Sequence, residues 1–355
     1  MIKTDEKMKE KPKIAVIGCG GTISAAYTSG GVWKPGEMTE VELLKYIPHL
    51  GQIASIQPMD LFRDDSSNMQ PEHWATLAQS IYLKLNEADG IVVTHGTDTM
   101  HYTAAAISFM IQSLNKPIVF TGAQFTLSQI GSDGIRNMFD AVRVAAEANV
   151  TESIIVFNGK IIRGNRAKKF REVEFDAFGS IGMDPLGRVE NSIILTGEQI
   201  KRGGGKPVLS NKLETNVSLL KIHPGFNPQL IETMIDYGVR GFVLEGYGAG
   251  NVPTGKRSVL PCIKRAVDSG IPVVITTQCT LGTSWVYLYD VGKKALDAGG
   301  IPGFDLLSET AVVKLMWVLG QTNNLKKVKK MMHKNYCGEI TPEMRTIEQK
   351  TWYRR

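Results

Sequence analysis

Short apolar, β-branched runs recur along the chain at 14–17, 91–94, 117–121, 153–157, 217–221, 241–245 and 272–276, each flanked by Gly or Pro. Runs of this length are strand-sized, and the turn formers beside them interrupt any helix. Between most of them lie segments of helical period, such as 72–85 and 99–112, where Met100, Ala104, Ile107 and Ile111 share one face. Strands alternating with helices build βαβ units, whose parallel sheets are covered on both faces. The pattern predicts the α/β class. The stretch 201–215 breaks it with Gly203-Gly204-Gly205 and Pro207, a linker-like composition. This predicts a polar tail over 1–13, a first α/β domain over 14–200, and a smaller α/β domain over 216–355 ending in a basic tail.

At 43% hydrophobic and 21% charged, the 355 residues have the composition of a packed globule, which excludes disordered, collagen-like and coiled-coil readings. The apolar runs fall well short of the ~20 residues of a membrane helix. The four cysteines, Cys19, Cys262, Cys279 and Cys337, form neither a disulfide framework nor a C-x-x-C pair. Residues 1–13 lack the apolar core of a secretory signal. A cytoplasmic protein is expected. The net charge of +6 resides at the ends: residues 1–13 carry +2 and 326–355 carry +6, leaving −2 for the body. No membrane or nucleic-acid partner is expected from so even a body; the basic carboxyl-terminal helix and tail read as a solvated face.

Ligands of open parallel sheets bind at the carboxyl ends of strands, so the loops there matter most. They are Gly18-Cys19-Gly20-Gly21-Thr22-Ile23-Ser24, Thr94-His95-Gly96-Thr97-Asp98-Thr99-Met100 and Thr121-Gly122-Ala123-Gln124. In the first two a threonine follows glycine: the glycine lets backbone approach a ligand, and the hydroxyl can be a nucleophile. The first loop is no dinucleotide fingerprint, because Ile23 stands where the third glycine belongs. Gly250–Lys256 nearly matches a phosphate loop, but Arg257 replaces the hydroxyl needed for Mg²⁺. The six histidines form no ligand cluster, and no G-x-S-x-G elbow is present. Neither metal nor cofactor is expected. Simpler readings stand beside these: Thr97-Asp98-Thr99 as a helix cap, His95 and His101 as packing residues, Cys279 as a buried small hydrophobe, and Lys168-Lys169 as a solvated turn.

Gly20-Gly21-Thr22-Ile23 and Thr94-His95-Gly96-Thr97-Asp98-Thr99-Met100 resemble the two signature segments of the bacterial-type asparaginase/glutaminase family. The similarity continues through Asp65-Ser66-Ser67-Asn68-Met69, Thr121-Gly122-Ala123-Gln124, Arg166-Ala167-Lys168-Lys169, Glu245-Gly246-Tyr247-Gly248 and Lys314-Leu315-Met316-Trp317. The cytoplasmic type I branch and the D-type subunit of the archaeal glutamyl-tRNA(Gln) amidotransferase look most similar. The resemblance implies a two-domain fold with a larger flavodoxin-like sheet domain. It also implies an L-asparagine amidohydrolase in which Thr22 attacks the side-chain amide to form an acyl-enzyme. Thr97, Asp98 and Lys169 match the second catalytic set. Ser66 and Asp98 match positions that hold the substrate's α-carboxylate and α-amino group, with Ser67, Gly96 and Ala123 beside them. Tyr27 is the candidate for the family's lid tyrosine, in a loop whose Gly30, Gly31 and Gly36 suit a hinge. A homodimer or homotetramer is implied, and in some type I enzymes a cysteine like Cys279 lines a second, regulatory asparagine site.

The chemistry stands apart from the family. A threonine hydroxyl needs an adjacent base, and a lysine supplies one only where its surroundings disfavour the ammonium. Two other functions stay open: a glutaminase-asparaginase, because one methylene is worth only ~1–3 kcal/mol of discrimination, and the amidase component of a tRNA-dependent amidotransferase, although that component carries an additional amino-terminal domain where this chain has about a dozen polar residues. A non-catalytic scaffold has no support while Thr22, Thr97, Asp98 and Lys169 are all present.

Overall fold

Each of the seven apolar runs overlaps a strand in the computed structural model, which describes residues 10–200 and 205–341. Most of the expected polar tail, the Gly203-Gly204 start of the linker and the carboxyl-terminal tail from 342 onward lie outside the described residues.

Eight strands form the larger sheet: β1 (Lys13–Gly20), β2 (Ser55–Asp64), β3 (Gly90–Thr94), β4 (Ile118–Thr121), β5 (Ser153–Phe157), β6 (Lys160–Arg163), β7 (Gly187–Val189) and β8 (Ile193–Leu195). Their order is β8-β7-β6-β5-β4-β3-β1-β2, parallel from β2 to β5 and antiparallel from β5 to β8. The parallel part has the 2-1-3-4-5 order of flavodoxin-like sheets, whose crevice opens at the carboxyl ends of β1 and β3. β2 is not among the apolar runs, since Pro58 interrupts its sequence; a proline is tolerated because β2 is the sheet edge. β6 returns from β5 through Asn158-Gly159, both at positive φ, the backbone of a tight hairpin. Helices α1 (Glu40–Lys45), α2 (Pro71–Lys84), α3 (Met100–Met110) and α4 (Gly134–Glu147) flank the sheet.

The smaller sheet is fully parallel, β9 (Val217–Lys221), β10 (Gly241–Gly246), β11 (Val273–Thr277) and β12 (Ile301–Pro302) in that order. It carries α5 (Gln229–Asp236), α6 (Leu260–Asp268), α7 (Asp290–Asp297) and α8 (Ser308–Gln321). One apolar cluster runs from Ile91 and Phe109 of the first sheet layer to Val243, Val274 and Trp317 of the second. Phe109 of α3 stacks on Trp317 of α8, with ring centroids 5.9 Å apart. Arg166 Nη1 donates to Asp305 Oδ2 at 2.9 Å, and both side chains are buried, a paired charge that ties the two layers. The described part of 201–215 is packed as well: Val208 and Leu209 pair with Gln112 and Ile111, and Ser210 O accepts from Trp317 Nε1 at 3.0 Å. No helix of the described residues is long and apolar enough to cross a membrane.

Candidate active site

The crevice between β1 and β3 gathers the loops that the sequence singles out. Gly20 and Gly21 both sit at positive φ, so the chain turns sharply off β1 and Gly21 N donates to Asp64 O of β2 at 3.0 Å. A Cβ on Gly21 would stand 2.2 Å from Gly96 Cα, and one on Gly96 would stand 2.6 Å from Ser66 Oγ. Only hydrogen at both positions lets the three loops close on one another. Thr22 and Thr97 are the next residues in the two glycine loops that meet at Gly21 and Gly96. Thr22 is half-buried at the head of the 3₁₀ turn Thr22–Ser24, and Thr97 and Ser66 are buried.

Lys169 arrives from the antiparallel ribbon Ala167–Lys169 and Phe178–Ser180. Its Nζ donates to Thr97 Oγ1 and to Asp98 Oδ1, both at 2.7 Å. Strand alternation turns its neighbour the other way, and Lys168 pairs with Glu309 of α8. The two lysines are therefore a part-buried strand pair and not the solvated turn expected from their sequence. Thr97 Oγ1 in turn donates to Gln124 Oε1 at 3.2 Å. The Gln124 amide cannot turn over, because its Nε2 donates to Glu174 O at 3.1 Å and Arg171 O at 3.4 Å. Asp133 holds the same loop by accepting from the backbone N–H of Gln124 and Phe125, each at 3.0 Å. The sequence reading left Gln124 and Asp133 without a role: the Thr97, Arg171 and Glu174 partners of Gln124 are far away in sequence, and Asp133 meets Gln124 and Phe125 only where the loop after β4 folds back on itself.

Beneath the loop, Trp74 Nε1 donates to Thr103 Oγ1 at 3.1 Å, Thr103 Oγ1 lies 3.0 Å from His95 Nε2, and His95 Nδ1 lies 2.7 Å from Gly96 O. One neutral tautomer, protonated at Nδ1, satisfies the whole chain. Burial pushes the ring down to about 4, opposed by its bond to Gly96. His95 is thus a neutral strut that aims the Gly96 carbonyl. The cap reading of Thr97-Asp98-Thr99 is replaced: no side chain caps α3, and Thr99 Oγ1 donates to Ser66 O at 2.7 Å, joining two loops of the crevice.

The remaining candidates are less uniformly placed. Ala123 and Gly96 are buried, and Ser67 is exposed in the turn capped by Asp65. Asp98 is 64% exposed at its side chain, open to a ligand on the side away from Lys169. Tyr27 lies on the outer hairpin, 63% exposed, with its ring 5.1 Å from that of Trp33 and no hydrogen bond to the threonine pair. Cys279 is exposed, against the expectation of a buried hydrophobe. It follows the carboxyl end of β11, where the chain leaves the core, and lines a cleft of about 220 Å³ with Lys168, Glu245 and Glu309. Among the described residues no three His, Cys, Asp or Glu side chains converge as metal ligands.

The family model "Asparaginase, N-terminal" matches residues 13–201, and "Glutaminase/Asparaginase C-terminal domain" matches 216–332. The chain belongs to the asparaginase/glutaminase family. Within it, the chain is 41% identical over 350 residues to the D-type subunit of the Pyrococcus furiosus glutamyl-tRNA(Gln) amidotransferase, covering 95% of this chain and 78% of that one. The thermostable L-asparaginase of Thermococcus kodakarensis superposes with a TM-score of 0.86 at 35% identity, over 93% of this chain and 99% of that one. The L-asparaginase I of Vibrio cholerae superposes with a TM-score of 0.84 at 30% identity, over 93% and 99%. The two-domain asparaginase fold implied by the sequence resemblance is the fold observed.

Proposed function

We propose that the protein is an L-asparagine amidohydrolase that forms L-aspartate and ammonia through a threonine acyl-enzyme. The observation that carries this reading is Lys169 Nζ at 2.7 Å from both Thr97 Oγ1 and Asp98 Oδ1, beside the Gly21–Gly96 contact that delivers Thr22. Thr22 Oγ1 attacks the amide carbonyl, backbone N–H groups of the glycine loops stabilise the oxyanion, and ammonia leaves with a proton. Water then cleaves the ester. Lys169 exchanges protons with Thr97, and Asp98 orients Lys169 or holds the substrate ammonium. Ser66, with Ser67, Gly96 and Ala123 beside it, holds the α-carboxylate, and Tyr27 closes with its hairpin over the bound substrate. A zwitterion needs both signs of partner, which hydroxyl donors and Asp98 supply.

We place the protein in the cytoplasm, since four free thiols suit a reducing compartment. Exposed Phe170, Val173 and Phe175 beside the Lys169 ribbon favour a homodimer or homotetramer that covers them.

The test is ammonia release from L-asparagine and L-glutamine by the purified chain and by Thr22→Ala. Turnover by the wild type and its loss in Thr22→Ala are expected; full turnover in Thr22→Ala sinks the assignment. The identity to the amidotransferase relatives favours a second reading, in which the same threonine chemistry supplies ammonia to a tRNA-dependent amidotransferase. Co-purification with a second protein and tRNA-stimulated activity separate it from free hydrolysis.

A further inference from the structure

Beneath the crevice lies a buried carboxyl that the reaction above does not use. Glu40 opens α1, where an acidic side chain ordinarily stays at the surface near the helix N-terminus, yet it turns inward and is 2% exposed. Its Oε1 accepts from Thr94 Oγ1 at 2.5 Å. The same carboxyl rests on Gly18, where an added Cβ would stand 2.5 Å from Oε1. Gly18 and Thr94 pair with each other as the last rung between β1 and β3. Beyond this rung the register of β1 against β2 shifts between Gly18 and Gly20, and both chains enter the loops that carry Thr22 and Thr97.

The surroundings oppose a charge on Glu40. From β1 it faces the buried thiol of Cys19, and from β3 the neutral Thr94. From β2 it faces Asp60, whose Oδ1 accepts from Glu40 N at 2.9 Å and whose Oδ2 lies 3.4 Å from Arg63 Nη2. Among the described residues no basic side chain pairs with Glu40, and its Oε2 has no partner. Burial pushes the carboxyl up to about 7, with the Thr94 hydroxyl opposing and Asp60 reinforcing the rise.

We propose that Glu40 is a positioning residue whose uncharged carboxyl clasps the Gly18–Thr94 rung and so sets where the Thr22 and Thr97 loops stand, and that its ionisation, repelled by Asp60 and opposed by burial, draws the carboxyl off the rung and slows turnover. The catalytic part of this inference rests on the threonine amidohydrolase reading.

The experiment measures kcat and KM for L-asparagine from about pH 5.5 to about pH 9 in the full chain, in Glu40→Gln, which keeps an acceptor for Thr94 but cannot ionise, and in Glu40→Ala. The ratio of wild-type to Glu40→Gln kcat should fall about fivefold or more as pH rises through about 7, with KM unmoved. Glu40→Ala should lose about tenfold in kcat even at the acid end. A flat ratio, or Glu40→Ala as active as the wild type, overturns the positioning role. Thermal midpoints supply a readout that needs no activity. The wild-type midpoint should fall relative to that of Glu40→Gln as pH rises from about 5 to about 8. Parallel midpoints overturn the inference even if the enzyme is active. A wild type that releases no ammonia overturns the functional reading and the catalytic part, while a diverging midpoint still establishes the titration of Glu40.

Discussion

Gly21 and Gly96 approach so closely that a Cβ on Gly21 would stand 2.2 Å from Gly96 Cα. Two loops from adjacent parallel strands ordinarily stay about 4.8 Å apart, the inter-strand spacing. Here both glycines fold inward, and a hydroxyl follows each of them.

Gly21→Ala is expected to lower kcat at least a hundredfold, ~3 kcal/mol or more of barrier, because the threonine loops must move apart. Gly131→Ala is the control. Gly131 has a similar φ of +82° but nothing within 4 Å, so it should cost only the ~1 kcal/mol of backbone strain, in stability, with kcat unaltered. Equal kcat losses in the two variants would mean that strain, and not contact, matters.

Lys169→Met should reduce kcat by roughly 10²–10⁴-fold with little change in KM, the signature of a proton-transfer group. Thr97 keeps its bond to Gln124, so the melting temperature should move little. Steady-state kinetics with a melting curve decide it; a raised KM at normal kcat would make Lys169 a binding residue.

In Gln124→Glu the donor that holds the side chain on the carbonyls of Glu174 and Arg171 is replaced by an acceptor. Acceptor facing acceptor expels the side chain, and Thr97 loses its acceptor while keeping Lys169 as donor. We expect kcat/KM to fall about tenfold to a hundredfold, with a faster proteolytic cut in the Arg171–Asp176 segment. Activity and cleavage rates like those of the wild type would refute the anchoring role.

Stability should depend on pH through two opposed effects. His95 is held down at about 4 by burial, so its contribution is present above about 6.5 and is lost as pH falls toward 4, up to roughly 3 kcal/mol. His101, also buried and pushed down to about 4, acts in the same direction. Glu40 is raised to about 7, so its contribution is present below about 4.5 and is lost as pH rises through 7. Urea midpoints of Glu40→Gln should therefore drop more steeply on acidification than those of the wild type. Identical slopes would show that Glu40 titrates as an ordinary carboxyl.

Most central strands of the two sheets were legible because a strand buried on two faces is a near-continuous apolar run, as in Ser153–Phe157 and Val273–Thr277. β2 escaped because an edge strand needs neither a continuous apolar run nor the absence of proline, and its burial is broken. The glycine-threonine loops were legible because they directly follow such runs. Gln124 and Asp133 were not, since only a folded chain shows what an amide or carboxylate faces.

The sequence by itself determined the α/β class and the strand ends at which chemistry is possible, because these follow from local pattern, while Thr22, Thr97, Asp98 and Lys169 became candidates through the resemblance of their segments to the family. Only the tertiary structure decided that Lys169, 72 residues from Thr97, meets it at 2.7 Å while Lys168 turns to Glu309. It also decided that Cys279 is exposed and that Glu40 is buried with no basic partner among the described residues. The reason is physical: burial and hydrogen-bond partners belong to the packing of distant segments, and no local stretch of sequence contains them.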